Sequence, residues 1–129
     1  MNTLQTFAAP SGRFFLAIIF FMSGLSKIGQ YSGTQGYMEA MGVPGELLPL
    51  VILTEALAAL AIILGWKTKY AAIALAGFSV LSALFFHTDF SNQAEMNNFM
   101  KNLAIAGGFL MIFAQGPGAY ALDNKAVKS

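Results

Sequence analysis

An all-α transmembrane four-helix bundle is the fold this sequence predicts, and three observations predict it. Hydrophobic residues make up 57% of the chain and charged residues 10%, against roughly a quarter charged in an ordinary soluble domain. The apolar residues gather into four long runs separated by three more polar connections. Within lipid, only helices satisfy their own backbone groups without closing a barrel.

The first run, around "FFLAIIFFMSGLSKIG", predicts a span from about Arg13 to Gln30. The second covers about Glu46 to Gly65, the third about Lys69 to His87, and the fourth about Asn98 to Gln115. Each approaches the ~20 residues that cross a hydrocarbon core of about 30 Å. Residues 1–129 read as a single domain. The stretch "MNTLQTFAAPSG" carries no Lys or Arg, and "SGLSKIG" has no small-x-small cleavage pattern. The first run is therefore expected to remain as a span rather than be removed as a signal peptide.

The connections give an orientation. "GWKTKY", Gly65 to Tyr70, is a tight hairpin with two lysines flanked by Trp66 and Tyr70 at interfacial depth. With four spans it shares a side with both termini, so Arg13, Lys67, Lys69, Lys125 and Lys128 fall together, while Lys27 and Lys101 fall near the other side. The positive-inside rule then makes the hairpin and both termini cytoplasmic.

The longer outward connection after the first span, "YSGTQGYMEAMGVPGE", places Tyr37, Met38 and Met41 at helical spacing. It predicts a short interfacial helix over the bundle mouth, either a lid or simple cover for helix ends. "QGPGAY" stops the fourth run, since Gly116 suits a left-handed helix end and Pro117 prevents continuation. Ala72 with Ala76, and Ala104 with Gly108, are pairs of small residues four apart that let helices approach. They are read as internal packing, with a homo-oligomer face left open.

Several function classes drop out. A net charge of +1 with scattered basic residues leaves no field for nucleic acid. Zero cysteines exclude iron–sulfur clusters and thiol chemistry. The single histidine and unclustered carboxylates predict neither an intrinsic haem nor a metal site. Ser79 and Ser82 share a span with His87 but not at a spacing that would bring either to it, so nucleophilic catalysis is not expected.

What remains is a polar set in the outer half of the bundle: Lys27, Glu55, His87, Lys101 and Asn102. A charge near the midplane costs about 2.5–3.5 kcal/mol on insertion scales, so such residues face protein, water or a ligand. Glu55 is expected to face the interior and pair with Lys27, with His87 nearby, because their side chains lean toward one another on oppositely running helices. Structurally, that pair fixes helix register. Functionally, the set can exchange protons and hydrogen bonds with a ligand held between apolar walls from Phe85, Phe86, Phe90 and Phe99.

The elements "RFFLAIIFFMSGLSKI", "YMEAMGVPGELLPLVILTEALAALAIILGWKTKYAA", "FFHTDF" and "FMKNLAIAGGFL" followed by "GPGAY" resemble the DoxX family of small bacterial inner-membrane proteins. The matching positions are Arg13, Gly24, Lys27, Gly42, Pro44, Glu55, Gly65, His87, Lys101, Asn102 and Gly116. The resemblance implies four spans in a bacterial plasma membrane and, for some members, association with membrane redox complexes. It departs from distant cysteine-paired thiol-redox bundles. Two expectations follow: a redox-associated subunit that interacts with quinone, or a non-catalytic scaffold or stress-linked accessory whose buried polar residues are structural. Whether the chain is an enzyme stays open, and a transporter would need oligomerisation because four helices show no internal repeat.

Overall fold

The computed structural model describes residues 3–124. Among these, all regular structure is helical. Helix α1 runs Thr3–Gly29, α2 Tyr31–Ala40, α3 Gly45–Leu64, α4 Thr68–Phe86 and α5 Gln93–Gln115. Three of them, α1, α3 and α4, are long and apolar enough to cross a membrane. Helix α5 has 23 residues but is not among those three.

The helix ends differ from the sequence expectation in two places. Helix α1 begins at Thr3 rather than near Arg13 and carries Pro10 inside it. Its added turns are held by tertiary contact, since Phe7 stacks on Tyr120 with ring centroids 5.6 Å apart. Helix α5 begins at Gln93 rather than Asn98, because the Asn92 side chain accepts hydrogen bonds from the Ala94 and Glu95 N–H groups and caps the first turn.

Packing is of the kind lipid selects. Large apolar side chains such as Ile19, Leu53, Tyr70, Leu84 and Met111 point outward. Alanines dominate the interior, with Ala17, Ala59, Ala72, Ala76 and Ala106 around the larger Phe20, Ile62, Leu75 and Phe109. With lipid outside, close van der Waals approach replaces the hydrophobic effect as the force between helices. Ala72 and Ala76 are buried as the spacing suggests, but of the second pair Ala104 is exposed, and only Gly108 meets another helix, at Leu16.

Helices α1 and α3 pack together, and α4 and α5 form a second, closely packed pair. The two pairs join along the half of α3 that leads to the Gly65–Lys67 turn. At this end the chain is latched. Buried Arg13, 2% exposed, donates from Nη1 to the Pro117 and Ala119 carbonyls and from Nη2 to Tyr120 O at 2.9 Å. Asp123 accepts the Lys67 N–H at 2.7 Å and the Thr68 N–H at 2.9 Å, capping α4 from a distant part of the chain. Its own N–H donates to Gly65 O. Gly65 has a φ of +71°, and a Cβ there would come within 2.3 Å of the Ala121 Cβ, so only glycine fits both the backbone and the contact. Burial alone would raise the Asp123 carboxyl. The Thr68 hydroxyl, the Thr68 and Lys67 N–H groups and the Lys67 charge outweigh it and hold the carboxyl below its ordinary value.

At the opposite end the pairs separate, and α2 lies over the gap. Met38 is the residue it buries, at 4% exposure, while Met41 is 40% exposed. Tyr37 stacks on Phe86, ring centroids 5.4 Å apart. The expected short helix over the bundle mouth is present, and it makes its contact through Tyr37 and Met38 and not through Met41, which sits at the helix end.

Candidate functional site

The site begins with a missing side chain. A Cβ on Gly24 would lie 3.1 Å from both the Cβ and the backbone N of Ala56, closer than ordinary contact, so glycine lets α1 and α3 cross here without either helix giving way. One turn further along α1, the Lys27 ammonium is brought against α3. There it donates to Glu55 Oε1 at 2.5 Å and to Ser23 Oγ at 2.7 Å. Glu55 is 2% exposed and sits in a π-helical turn, Thr54–Ala58, within α3. Such a widened turn adds one residue to the helix and is frequent at functional sites.

The pair forms one wall of a cavity of about 400 Å³ between the two helix pairs, within the range of about 300–1,000 Å³ of small-molecule sites. His87 and Asn102 also line it. Of the five residues singled out from the sequence, four therefore border one space. Lys101 does not: it is exposed and absent from the lining, because its neighbour Asn102 takes the inward face of α5. His87 shares the cavity, yet its own partner is Glu95, with Nδ1 3.2 Å from Oε2. The loop after α4 brings the start of α5 back across the rim, an approach that depth reckoning along the helices does not reveal.

The apolar walls also differ from expectation. Phe85 and Phe86 line the cavity together with Phe20 and Phe78. Phe90 and Phe99 instead pack edge-to-face on each other, 5.1 Å apart, outside it. Phe20 is wedged between Phe78 and Phe109, centroids 6.2 and 5.6 Å away, and so forms the floor. Tyr37 and Met38 of α2 close the top.

Sequence reasoning missed two serines. Ser79 and Ser82 border the cavity on α4, and Ser79 is 1% exposed with its Oγ lacking a hydrogen-bond partner among the described residues. Their spacing from His87 argues against nucleophiles and says nothing of a binding role. Two hydroxyls in mid-span would have been the signal that α4 presents a polar stripe. Among the described residues, no three His, Cys, Asp or Glu side chains converge as metal ligands would.

Known proteins place this arrangement in a family. The DoxX family model matches residues 9–88. The chain is 47% identical to the inner membrane protein YqjF of Escherichia coli K12 over 96% of this chain and 95% of that one. It is 34% identical to the inner membrane protein YphA of the same organism over 97% of this chain and 100% of that one. No solved structure matches the chain.

Proposed function

The chain belongs to the DoxX family, and on that premise we propose that it is a multi-pass protein of the bacterial inner membrane whose cavity takes the head group of a quinone. In this reading α5 is a fourth span, completing the bundle. The latched end, with Lys67 and Lys69, faces the cytoplasm, and the cavity end, with Lys27 and Lys101, faces the periplasm. Lys125 and Lys128, which add to the same bias, lie outside the described residues. The asymmetry of basic residues supports this orientation. A reporter fused after Ser129 is expected to be active only in a cytoplasmic format, and activity confined to the periplasm overturns the topology.

One observation carries the binding reading: an ion pair between a buried carboxylate and a half-buried lysine borders an aromatic-walled cavity of small-molecule size inside an apolar bundle. Lys27 is the donor for a quinone oxygen. Glu55 and His87 are the groups able to exchange protons with a bound head group. The electrons come from a donor on a partner protein, making this chain a redox-associated subunit rather than a self-contained enzyme. A second reading, a scaffold with purely structural polar residues, draws on the fact that Lys27 is already satisfied by Ser23 and Glu55.

Extraction in mild detergent followed by mass spectrometry of retained lipids separates the two. Quinone kept by the parent and lost with Glu55→Gln plus His87→Ala is the expected result. A parent that retains only phospholipid supports the scaffold.

A further inference from the structure

The cavity has two chemically different sides. On the α1/α3 side Lys27 and Glu55 neutralise one another. On the α4/α5 side stand three uncharged groups: Ser79, Ser82 and Asn102. Ser79 Oγ is buried without a partner among the described residues, and neither Ser82 nor the Asn102 amide makes a side-chain hydrogen bond to another described residue. An amide and two hydroxyls at this depth carry an unmet cost unless something bonds them. We propose that Ser79, Ser82 and Asn102 form the recognition wall of the site, gripping the uncharged, oxygen-bearing head of a chain-tailed lipid whose tail leaves sideways into the bilayer. The proposal rests on the quinone reading for its preferred ligand and adds the residues that select it.

Charge decides the ligand class. Besides the Tyr37 phenol, the lining contains three ionisable side chains, Lys27, Glu55 and His87. Lys27 is committed to Glu55, and His87 to Glu95. A phosphate would meet no uncommitted cation and would face two carboxylates through their partners, so the site disfavours anionic heads. An uncharged head with carbonyl or hydroxyl oxygens suits the wall instead, because the Asn102 amide both donates and accepts and each serine hydroxyl does likewise.

Exposure decides the exit. Ile19, Leu81 and Phe85 line the cavity and are 58%, 54% and 52% exposed on the outer surface of α1 and α4. These residues lie within helices long and apolar enough to span a membrane. The cavity therefore reaches the face that lipid covers, and a hydrocarbon tail passing there stays among apolar side chains. Ligand exchange occurs from the membrane, with α2 left in place over the top.

The test uses the full chain in detergent, titrated calorimetrically with decyl-benzoquinone, decanol and dodecyl phosphate. The parent is expected to bind decyl-benzoquinone best and dodecyl phosphate least. Asn102→Leu and the double variant Ser79→Ala/Ser82→Ala are each expected to weaken it by roughly three- to tenfold per lost hydrogen bond. Their thermal unfolding should not fall below that of the parent, since the groups removed have no protein partner. If the parent binds and the variants bind equally well, the recognition wall is wrong while the quinone reading stands. If the parent binds decanol but not decyl-benzoquinone, with the same loss in the variants, the wall stands and quinone is rejected. Tightest binding of dodecyl phosphate, binding of none of the three, or unfolding of Asn102→Leu overturns the proposal.

Discussion

The two ends of this bundle use buried polar groups in opposite ways. At the latched end, one guanidinium gathers three carbonyls of the Pro117–Tyr120 turn and one carboxylate caps the start of α4. These contacts join parts of the chain remote in sequence and act as fasteners. At the other end the charges are paired across α1 and α3, but three neutral groups face a cavity without partners. Buried polar residues that close upon the protein itself are structural. Those left open around a space are candidates for binding.

The comparison can be broken most sharply at the ion pair. Lys27→Met strands the buried Glu55 carboxylate and is expected to cost about 3–5 kcal/mol in detergent unfolding, while Glu55→Gln, which strands the partly exposed Lys27, should cost less. The double variant should regain much of that loss. If it does so while quinone retention disappears, the pair serves binding as well as register. If the single variants unfold like the parent, the crossing at Gly24 alone holds the two helices.

At the latched end, Arg13→Ala should cost about 2–4 kcal/mol, because it leaves three part-buried carbonyls without a donor. Arg13→Lys should recover only part of this, since a single ammonium cannot reproduce a planar fork. Ligand binding at the cavity should not change in either variant. A binding loss matching the stability loss would mean that the ends are not independent.

A smaller effect belongs to Asp123. Asp123→Ala removes a charged cap and should cost about 0.5–2 kcal/mol. Because the folded carboxyl is held below its unfolded value of about 3.9, its contribution is fully present above that value and is lost as the pH falls through the lower folded one. Unfolding curves from pH 6 to 3 should therefore show an acid-side loss in the parent that is reduced in Asp123→Ala. An identical loss in both would assign the acid sensitivity elsewhere.

The smallest effect expected is at the lid. Met41→Asp should change stability by no more than about 0.5 kcal/mol, as for other exposed positions. Cysteines placed along Gly36 to Met41 should label at 37 and 41 and be protected at 38. Uniform labelling would remove α2 as a cover.

How much of this was legible follows from which forces are local. The apolar runs that make α1, α3 and α4 are visible because lipid demands them continuously along the chain. The Lys27–Glu55 pair was legible too, since an unpaired membrane charge is costly and the lean of each side chain is set by helix geometry. The first turns of α1 were not, because they depend on Phe7 meeting Tyr120 from the far end of the sequence. The start of α5 could have been read, as Asn92 followed by Glu95 is a helix-start pattern. His87 choosing Glu95 and Asn102 rather than Lys101 facing the cavity depend on loop path and helix rotation, which periodicity constrains only loosely.

The Arg13 latch also has a meaning in time. Arg13 and Tyr120 are separated by 107 positions, and a ribosome adding about 5–20 residues per second takes roughly 5–20 s to cover that interval. Throughout it, the first helix exists with its arginine uncoordinated by the Pro117–Tyr120 turn. The turn that completes the coordination follows α5 in the chain, so the latch can close only after α1 to α5 have all been synthesised. Nascent chains arrested before Gly116 should consequently be more readily degraded than chains stopped at Asn124, although both contain every helix.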